Sequence, residues 1–148
     1  GHRRIARQDL VDFLVRQNLP IPHELDVEKK ILIVDDEPAF SRFLSEDLQE
    51  AYPDCKILVA ADGFSAGEMV ADQRPNVVIV DLRMSGMDGF EVCRRIKARP
   101  ETQATLVIMV TAYPSEDVSQ RALSCGASAC LTKPLDRDAL LAELAGAL

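Results

Sequence analysis

The feature that most constrains the fold is a set of five short apolar runs spaced along the chain. They occupy residues 31–34, 57–60, 77–80, 106–110 and, more weakly, 129–131. The first, third and fourth runs are almost entirely β-branched or aliphatic, without the alternation of apolar and polar residues that marks a half-exposed strand. Continuous apolar strands are typical of parallel sheets that are covered on both faces.

Helical patterns fill the intervals between these runs. Apolar residues recur at helical spacing near residues 39–51, 64–72, 89–98, 116–125 and 136–147. Gly126 follows the fourth pattern, at the position where glycine commonly ends a helix. Alternation of strand and helix five times over predicts an α/β fold, a doubly wound parallel sheet of five strands with helices on both faces.

The composition is that of a folded domain and limits the classes of partner. The chain has 148 residues, of which 47% are hydrophobic, enough to bury a core. Its net charge of −7 argues against a protein that wraps nucleic acid with its whole surface. No apolar run approaches the roughly 18–20 residues that span a bilayer, and no secretory segment opens the chain, so we expect no membrane partner.

The cysteines point to a reducing compartment. Cys55, Cys93, Cys125 and Cys130 form no CxxC pair, and the chain has only 2 histidines. We therefore expect neither a zinc site nor a disulfide framework, and we predict a cytoplasmic location. Filling of the core is the expected role of these four side chains.

Polar residues follow the strongest apolar runs. Asp35 and Asp36 follow the first run, Asp81 the third, Thr111 the fourth, and Lys133 comes shortly after the fifth. With the strand order 2-1-3-4-5, strands one, three and four are neighbours and these groups meet at one rim of the sheet. Ligands of such sheets bind outside the carboxyl ends of the strands, where the winding direction reverses.

These residue types suit phosphoryl transfer to a carboxylate. Crowded carboxylates repel one another, and a hard divalent cation such as Mg²⁺ offsets that repulsion with oxygen ligands. Lys133 adds a mobile positive charge for an anionic ligand, and Thr111 adds a hydroxyl that can donate to a phosphoryl oxygen. Asp81 stands alone at its strand end and is the predicted nucleophile, giving an aspartyl phosphate. The pair Asp35 and Asp36 is better placed to hold the metal.

Four motifs in this order and spacing resemble the receiver domain of two-component response regulators. They are Ile31-Leu32-Ile33-Val34-Asp35-Asp36-Glu37-Pro38, Val80-Asp81-Leu82-Arg83-Met84-Ser85-Gly86-Met87-Asp88-Gly89, Val110-Thr111-Ala112 and Leu131-Thr132-Lys133-Pro134. Each motif alone is weak, whereas the ordered set is highly specific. The resemblance covers about residues 29–148 and implies the flavodoxin-like fold with strand order 2-1-3-4-5.

The resemblance implies a role for each position. Asp81 would accept a phosphoryl group from a phosphohistidine on a sensor histidine kinase or phosphotransfer protein, and Lys133 would pair with the phosphoryl oxygens. Thr111 would move toward the phosphoryl group as the switch. Asp36 would bind Mg²⁺ directly and Asp35 largely through water.

Further implications concern the loops around the acceptor. The backbone carbonyl of Arg83 would complete the Mg²⁺ coordination together with Asp81, and the peptide bond before Pro134 is usually cis in the family. Arg83 and Tyr113 would lie near the site opening and influence the lifetime of the phosphoryl group. Receivers often pair through the fourth helix, fifth strand and fifth helix, so a homodimer is a possible partner.

Two positions depart from the family pattern. Ser85 stands where receivers usually have proline, which predicts a less rigid loop after Asp81. Cys130 stands where receivers tend to carry tyrosine or phenylalanine, three residues before the lysine. That aromatic side chain moves inward as the threonine shifts, so the cysteine leaves open whether the usual relay operates in this chain.

The first 17 residues resemble a second family, the excisionase-like winged helix-turn-helix DNA-binding domains. They hold four arginines and two aspartates, with Leu10, Phe13 and Leu14 on one face of a predicted helix. Arginines at a wing tip can contact phosphates or a minor groove. The recognition helix would precede Gly1, so DNA contact is expected only through a missing N-terminal part. A solvated helix start is an equal alternative.

The predicted organisation has three parts. Residues 1–17 are the remnant of the winged helix region, residues 18–28 a linker, and residues 29–148 the receiver domain. Pro20, Pro22 and three acidic residues support the linker, because proline does not continue a helix. The chain does not begin with Met, from which we expect a longer protein.

Three functions are compatible with these sequence features. The first is a phosphorylation-dependent switch, not a true enzyme, that regulates an attached DNA-binding output and hence transcription. The second is a phosphohydrolase of the haloacid-dehalogenase type, which places its nucleophile in a DxD pattern after the first strand, where this chain has DDE. The third is an unphosphorylated protein-interaction module, which Cys130 favours and the complete set of site residues disfavours.

Overall fold

The computed structural model describes residues 28–84 and 86–148, together with residues 10, 12, 13, 16 and 17. Within residues 28–148, strands and helices alternate as predicted. The strands are β1 (Lys30–Val34), β2 (Lys56–Ala60), β3 (Val77–Asp81), β4 (Leu106–Thr111) and β5 (Ala129–Thr132). The helices are α1 (Pro38–Ala51), α2 (Gly63–Gln73), α3 (Gly89–Ala98), α4 (Glu116–Ser124) and α5 (Arg137–Leu144).

All five strands are parallel and form one sheet in the order β2-β1-β3-β4-β5. This confirms the predicted flavodoxin-like topology. In the register of the sheet Val34 lies beside Val80, and Asp81 lies beside Val110. The residues that follow β1, β3 and β4 therefore reach the same rim.

The apolar runs are buried because helices cover both faces of the sheet. Ile31 and Ile33 of β1 belong to a core that α1 and α5 close. Leu32 and Val34 point to the opposite face, where α2, α3 and α4 close a second core. A strand whose successive side chains both enter a core must be apolar throughout, which explains the absence of alternation in the sequence.

Side-chain caps fix where four of the helices begin. The carboxylate of Asp62 accepts the backbone N–H of Ser65 at 2.7 Å and begins α2. Asp88, Ser115 and Asp136 begin α3, α4 and α5 in the same way. At α1 no side chain caps the helix, and Pro38 occupies its first turn.

The helix boundaries agree with the prediction except at the end of the chain. Residues 145–147, predicted as the last turn of the fifth helix, form turns outside α5. Gly126 follows α4 with a φ of 101°, a conformation that L side chains rarely adopt. The glycine therefore ends the helix as its position in the sequence predicted.

Several predictions on the first 28 residues lie largely outside the described residues. These are the winged helix remnant at 1–17 and the linker at 18–28. Of the part that is described, Leu10 and Phe13 are helical and exposed. All four cysteines lie in the described part and are free thiols. Among the described residues, no helix has the length and apolar character needed to cross a bilayer.

Candidate functional site

Three carboxylates meet at the carboxyl end of the sheet. Asp35 directly follows β1, Asp36 is the next residue, and Asp81 is the last residue of β3. Each offers a carboxylate oxygen, and these oxygens lie within 4.8 Å of one another. The structure therefore brings together the three side chains that the sequence singled out for metal binding and nucleophilic attack.

Lys133 lies between two of these carboxylates. Its Nζ is 2.8 Å from Asp35 Oδ2 and 3.5 Å from Asp81 Oδ2. The contacts join residues 98 and 52 positions apart in the chain, and they form because β5 enters the sheet beside β4. The predicted partner of an anionic ligand is thus in place beside the predicted acceptor.

Phe40 of α1 also contacts the ammonium of Lys133. Its ring centroid lies 4.1 Å from Nζ, a cation–π contact. In the sequence Phe40 is one of the apolar residues in the helical pattern near residues 39–51. No motif marked it as a neighbour of the lysine, because that contact depends on how α1 packs on the sheet, where it contacts β1 and β2.

The carboxyl group of Asp81 has a raised pKa. Burial is the larger cause, and the negative charge of Asp35 adds to it. Lys133 and the backbone N–H of Arg83, which donates to Asp81 Oδ1 at 3.3 Å, act in the opposite direction without cancelling the increase. The ionised form of Asp81 is therefore disfavoured in the folded chain, and a further cation nearby would stabilise it.

The pKa of Lys133 is raised as well, although burial of its ammonium alone would lower it. The hydrogen bond and charge of Asp35, followed by the charges of Asp81 and Glu37, outweigh that burial. Lys133 therefore stays positively charged. Because the site holds three carboxylates and one ammonium, a surplus of two negative charges remains when all are ionised.

Asp35 is held by more than its ion pair. Its carboxylate is almost fully buried, and Oδ1 accepts the backbone N–H of Glu37 at 2.8 Å while Oδ2 accepts from Lys133. These bonds orient the side chain toward the rim. Asp36, by contrast, is exposed, which suits a residue that binds an ion directly from the solvent side.

Thr111 ends β4 with its side chain buried at the same rim. Its Oγ1 accepts the backbone N–H of Tyr113 at 3.1 Å. Its carbonyl oxygen accepts the backbone N–H of Lys133 at 2.8 Å, which ties the ends of β4 and β5 together. The hydroxyl keeps its own proton for donation, and no acceptor for that proton occurs in the part of the chain that the structure describes.

The donor set fits a hard divalent cation. Its side-chain ligands are all carboxylate oxygens, the type that Mg²⁺ prefers, and nitrogen or sulfur ligands are absent from the cluster. The surplus negative charge and the raised pKa of Asp81 both favour a cation there. Arg83 occupies the loop after β3, two residues beyond Asp81, where the resemblance places its carbonyl as a ligand.

Other loop features bear on the resemblance. The Lys133–Pro134 peptide bond is cis, as the family pattern implies. Cys130 lies in β5 and is half-buried, and burial raises the pKa of its thiol. The prediction of a less rigid loop at Ser85 falls on a residue outside the described set.

Comparison with known families identifies the class. The family described as "Response regulator receiver domain" matches residues 31–145, which include the three aspartates, Thr111 and Lys133. The chain belongs to the receiver domains of response regulators.

Two curated relatives that match this chain are considerably longer than it. Response regulator PleD of Caulobacter vibrioides is 38% identical over 115 residues, which are 78% of this chain and 25% of that protein. The DNA-binding dual master transcriptional regulator RpaA of Synechocystis is 33% identical over 78% of this chain and 47% of its own length. The chain therefore spans between a quarter and a half of these two relatives.

Relatives of similar size are also found. Sporulation initiation phosphotransferase F of Bacillus subtilis is 36% identical over 76% of this chain and 87% of that protein. The signal receiver domain of a DNA-binding response regulator from Colwellia psychrerythraea superimposes with a TM-score of 0.77 at 36% identity, covering 80% of this chain and 97% of that one. Chemotaxis protein CheY4 of Vibrio cholerae gives 0.74 at 30% identity, covering 82% and 99%.

Proposed function

We propose that Asp81 is the phosphoacceptor of this receiver domain and takes its phosphoryl group from a histidine kinase or a phosphotransfer protein. One observation carries the proposal. Lys133 Nζ lies 3.5 Å from Asp81 Oδ2 at the rim where Asp35 and Asp36 complete a cluster of carboxylates. Asp81 thus has beside it an ammonium suited to pair with a transferred phosphoryl group and two further carboxylates suited to bind a metal ion.

The transfer moves one phosphoryl group between two side chains. A carboxylate oxygen of Asp81 attacks the phosphorus, a new P–O bond forms, and the P–N bond to the donor histidine breaks. The electron pair of that bond stays on the imidazole nitrogen, which takes up a proton. Lys133 neutralises charge on the phosphoryl oxygens, and the hydroxyl of Thr111 is free to donate to one of them.

The proposed metal is Mg²⁺, held by Asp35, Asp36, Asp81 and the backbone carbonyl of Arg83. Bound there, it would neutralise charge that develops on the phosphoryl oxygens during transfer. Asp35 would contribute mainly through its charge and through water, because its two oxygens already accept from Glu37 and Lys133. Asp36, the exposed member, would bind the ion directly.

The proposed output is a conformational switch that regulates an attached DNA-binding part, and hence transcription. Support comes from the arginine-rich residues 1–17 and from similarity to RpaA, whose name describes a DNA-binding transcriptional regulator. In this organisation residues 18–28 link that region to the receiver at 29–148. A homodimer formed through α4, β5 and α5 belongs to the same proposal.

In this proposal the protein is a phosphoacceptor and not a true enzyme, although it promotes its own phosphorylation and slow hydrolysis. A cytoplasmic location also belongs to the proposal and is consistent with four free cysteine thiols. An interaction module that works without phosphorylation is the second candidate. Cys130, in place of the usual aromatic residue, is the observation that favours it.

The test is intact mass after incubation with acetyl phosphate, with and without Mg²⁺. We expect one phosphoryl adduct in the parent with Mg²⁺, much less without the metal, and none in Asp81→Asn. Asp88→Asn is the matched control, since Asp88 lies after the same strand but only caps α3, a role that asparagine also fills. A folded parent without adduct would favour the interaction module instead.

A further inference from the structure

Two side chains stack on each other beside the acceptor site. The guanidinium carbon of Arg83 lies 4.5 Å from the ring centroid of Tyr113. Arg83 belongs to the loop between β3 and α3, and Tyr113 belongs to the loop between β4 and α4. The contact therefore joins two loops that leave neighbouring strands, and the ring of Tyr113 is well exposed at the surface.

Each partner of this stack is also attached to a side chain of the site. The backbone N–H of Arg83 donates to Asp81 Oδ1 at 3.3 Å. The backbone N–H of Tyr113 donates to Thr111 Oγ1 at 3.1 Å. A displacement of the Asp81 carboxylate therefore acts on Arg83, and a displacement of the Thr111 hydroxyl acts on Tyr113.

Cys130 cannot form an aromatic contact of this kind. Cys130 has a small thiol with no ring, and it is half-buried in β5. It offers no aromatic surface that could turn inward or outward. The only tyrosine near Thr111 in the described part of the chain is Tyr113, because Tyr52 follows α1 and packs in the core on the opposite face.

We propose that Tyr113, stacked on Arg83, is the aromatic group through which movement of Thr111 reaches the surface of this protein. The inference depends on the proposed role of Asp81 as phosphoacceptor. It differs from that role because it names the group that responds and the contact that changes: phosphorylation releases Tyr113 from Arg83.

The release follows from the geometry of Thr111. Its hydroxyl accepts from Tyr113 N–H, and donating to a phosphoryl oxygen by a change of rotamer moves Oγ1 by roughly 2 Å, which breaks that bond. If the backbone of Thr111 moves instead, the loop carries Tyr113 with it. A hydrogen bond to a charged phosphoryl oxygen is stronger than an exposed cation–π contact, so its formation offsets the loss of the stack when the Tyr113 loop is displaced.

The experiment follows the ring resonances of Tyr113 by NMR in protein labelled at tyrosine. The chain has 2 tyrosines, and a Tyr52→Phe variant leaves Tyr113 as the sole signal. Arg83→Ala without phosphodonor gives the reference position of an unstacked ring. Each sample is divided, and intact mass measures the phosphoryl adduct at Mg²⁺ and acetyl phosphate concentrations identical to those used for the spectra.

We expect the Tyr113 resonances of the phosphorylated protein to move to the position of unphosphorylated Arg83→Ala. An adduct with unchanged resonances would overturn the inference while leaving the proposed function intact. Failure to form an adduct would overturn the proposed function and the inference with it.

Two variants test the route of the coupling. Thr111→Ala is incubated with Mg²⁺ and acetyl phosphate until intact mass shows the same adduct content as in the parent, to allow for slower transfer. Its Tyr113 resonances should then be the same with and without the adduct. A shift equal to that of the parent would show that Thr111 is not the route. Arg99→Ala removes an exposed arginine on the far end of α3, and its spectra with and without phosphodonor should match those of the parent.

Discussion

The two ends of the sheet differ in how their polar groups are paired. At the amino end, where β1, β3 and β4 begin, polar groups pair with neutral partners. The backbone N–H of Lys30 donates to Asn76 Oδ1 at 2.9 Å, and the hydroxyl of Thr105 donates to the carbonyl of Pro75 at 3.1 Å. At the carboxyl end, three carboxylates share one ammonium, and the pKa of Asp81 is raised.

This difference separates residues that stabilise the fold from residues that are suited to bind a ligand. Each hydrogen bond at the amino end satisfies a group that burial would otherwise leave unpaired, so its loss costs stability. The carboxyl end carries charge that the chain alone does not balance, so its side chains gain from a ligand. Substitutions at the two ends should therefore separate stability from phosphoryl uptake.

The largest effect is expected for Lys133→Ala. This variant removes the only cation that contacts Asp35 and Asp81 in the part of the chain described by the structure. Loss of such an electrostatic contact to a developing charge costs about 10²–10³-fold in rate. The measurement is the initial rate of adduct formation by intact mass with acetyl phosphate and Mg²⁺.

The matched control is Lys97→Ala at the other end of the sheet. Lys97 Nζ donates to the carbonyl oxygens of Gln103 and Thr105 at 2.9 and 2.6 Å. Its loss should lower the free energy of unfolding and leave the rate of phosphorylation of the folded protein unchanged. Equal losses of rate in the two lysine variants would contradict the division between the two ends.

The next effect in size concerns Thr102 before β4. Its buried hydroxyl donates to the carbonyl oxygen of Ile96 at 2.7 Å. Thr102→Val should lower the free energy of unfolding in urea by about 1–3 kcal/mol, because the carbonyl then lies buried without that donor. Thr102→Ser should retain most of the stability. An unchanged urea midpoint for the valine variant would remove the stabilising role assigned to the amino end.

A smaller effect of opposite sign is expected for Asp81→Asn without Mg²⁺. Burial first, and the charge of Asp35 second, raise the pKa of Asp81 in the folded chain above its ordinary value of 3.8. The folded protein thus binds this proton more tightly than the unfolded chain does. The resulting stability is present at low pH and is lost as the pH rises from 3.8 through the folded pKa.

Asparagine does not ionise, so Asp81→Asn does not lose this stability as the pH rises. We therefore expect the melting temperature of Asp81→Asn at pH 7 to lie above that of the parent. The advantage of Asp81→Asn over the parent should shrink as the pH falls toward 4. Calorimetry at several pH values checks this, and an advantage that is independent of pH would contradict the assigned cause.

The smallest effect is expected for an exposed ion-pair group that belongs to neither end. Glu91 contacts Arg94 at 3.4 Å and Arg95 at 3.0 Å on the surface of α3. Glu91→Gln should change the free energy of unfolding by no more than about 0.5 kcal/mol and leave phosphoryl uptake unaltered. A larger change would mean that surface charge, and not position along the strands, governs the difference.

Much of the fold could be predicted from local sequence. The unbroken apolar runs predicted buried parallel strands, and Gly126 marked the end of a helix correctly. The last helix, predicted to reach residue 147, was predicted too long because Ala147 is apolar and packs against the core without being helical. Apolar spacing reports burial, and turns at the end of a chain can bury side chains as a helix does.

The site was predictable in its members but not in its contacts. Asp35, Asp81 and Lys133 could be grouped because parallel strands bring their carboxyl ends to one rim. The position of Phe40 against Lys133 and the stack of Arg83 on Tyr113 could not be predicted, because both depend on how helices and loops pack after the sheet has formed. Periodicity and motif spacing carry no information on such contacts.

The central claim is that Asp81 carries the phosphoryl group, and one measurement locates it directly. The protein is incubated with Mg²⁺ and acetyl phosphate, reduced with borohydride, and analysed as peptides by tandem mass spectrometry. Borohydride converts an aspartyl phosphate into homoserine, which marks the modified residue permanently. The account predicts homoserine at position 81 and aspartate at positions 35, 36 and 88. Homoserine at another position, with residue 81 unmodified, would contradict it.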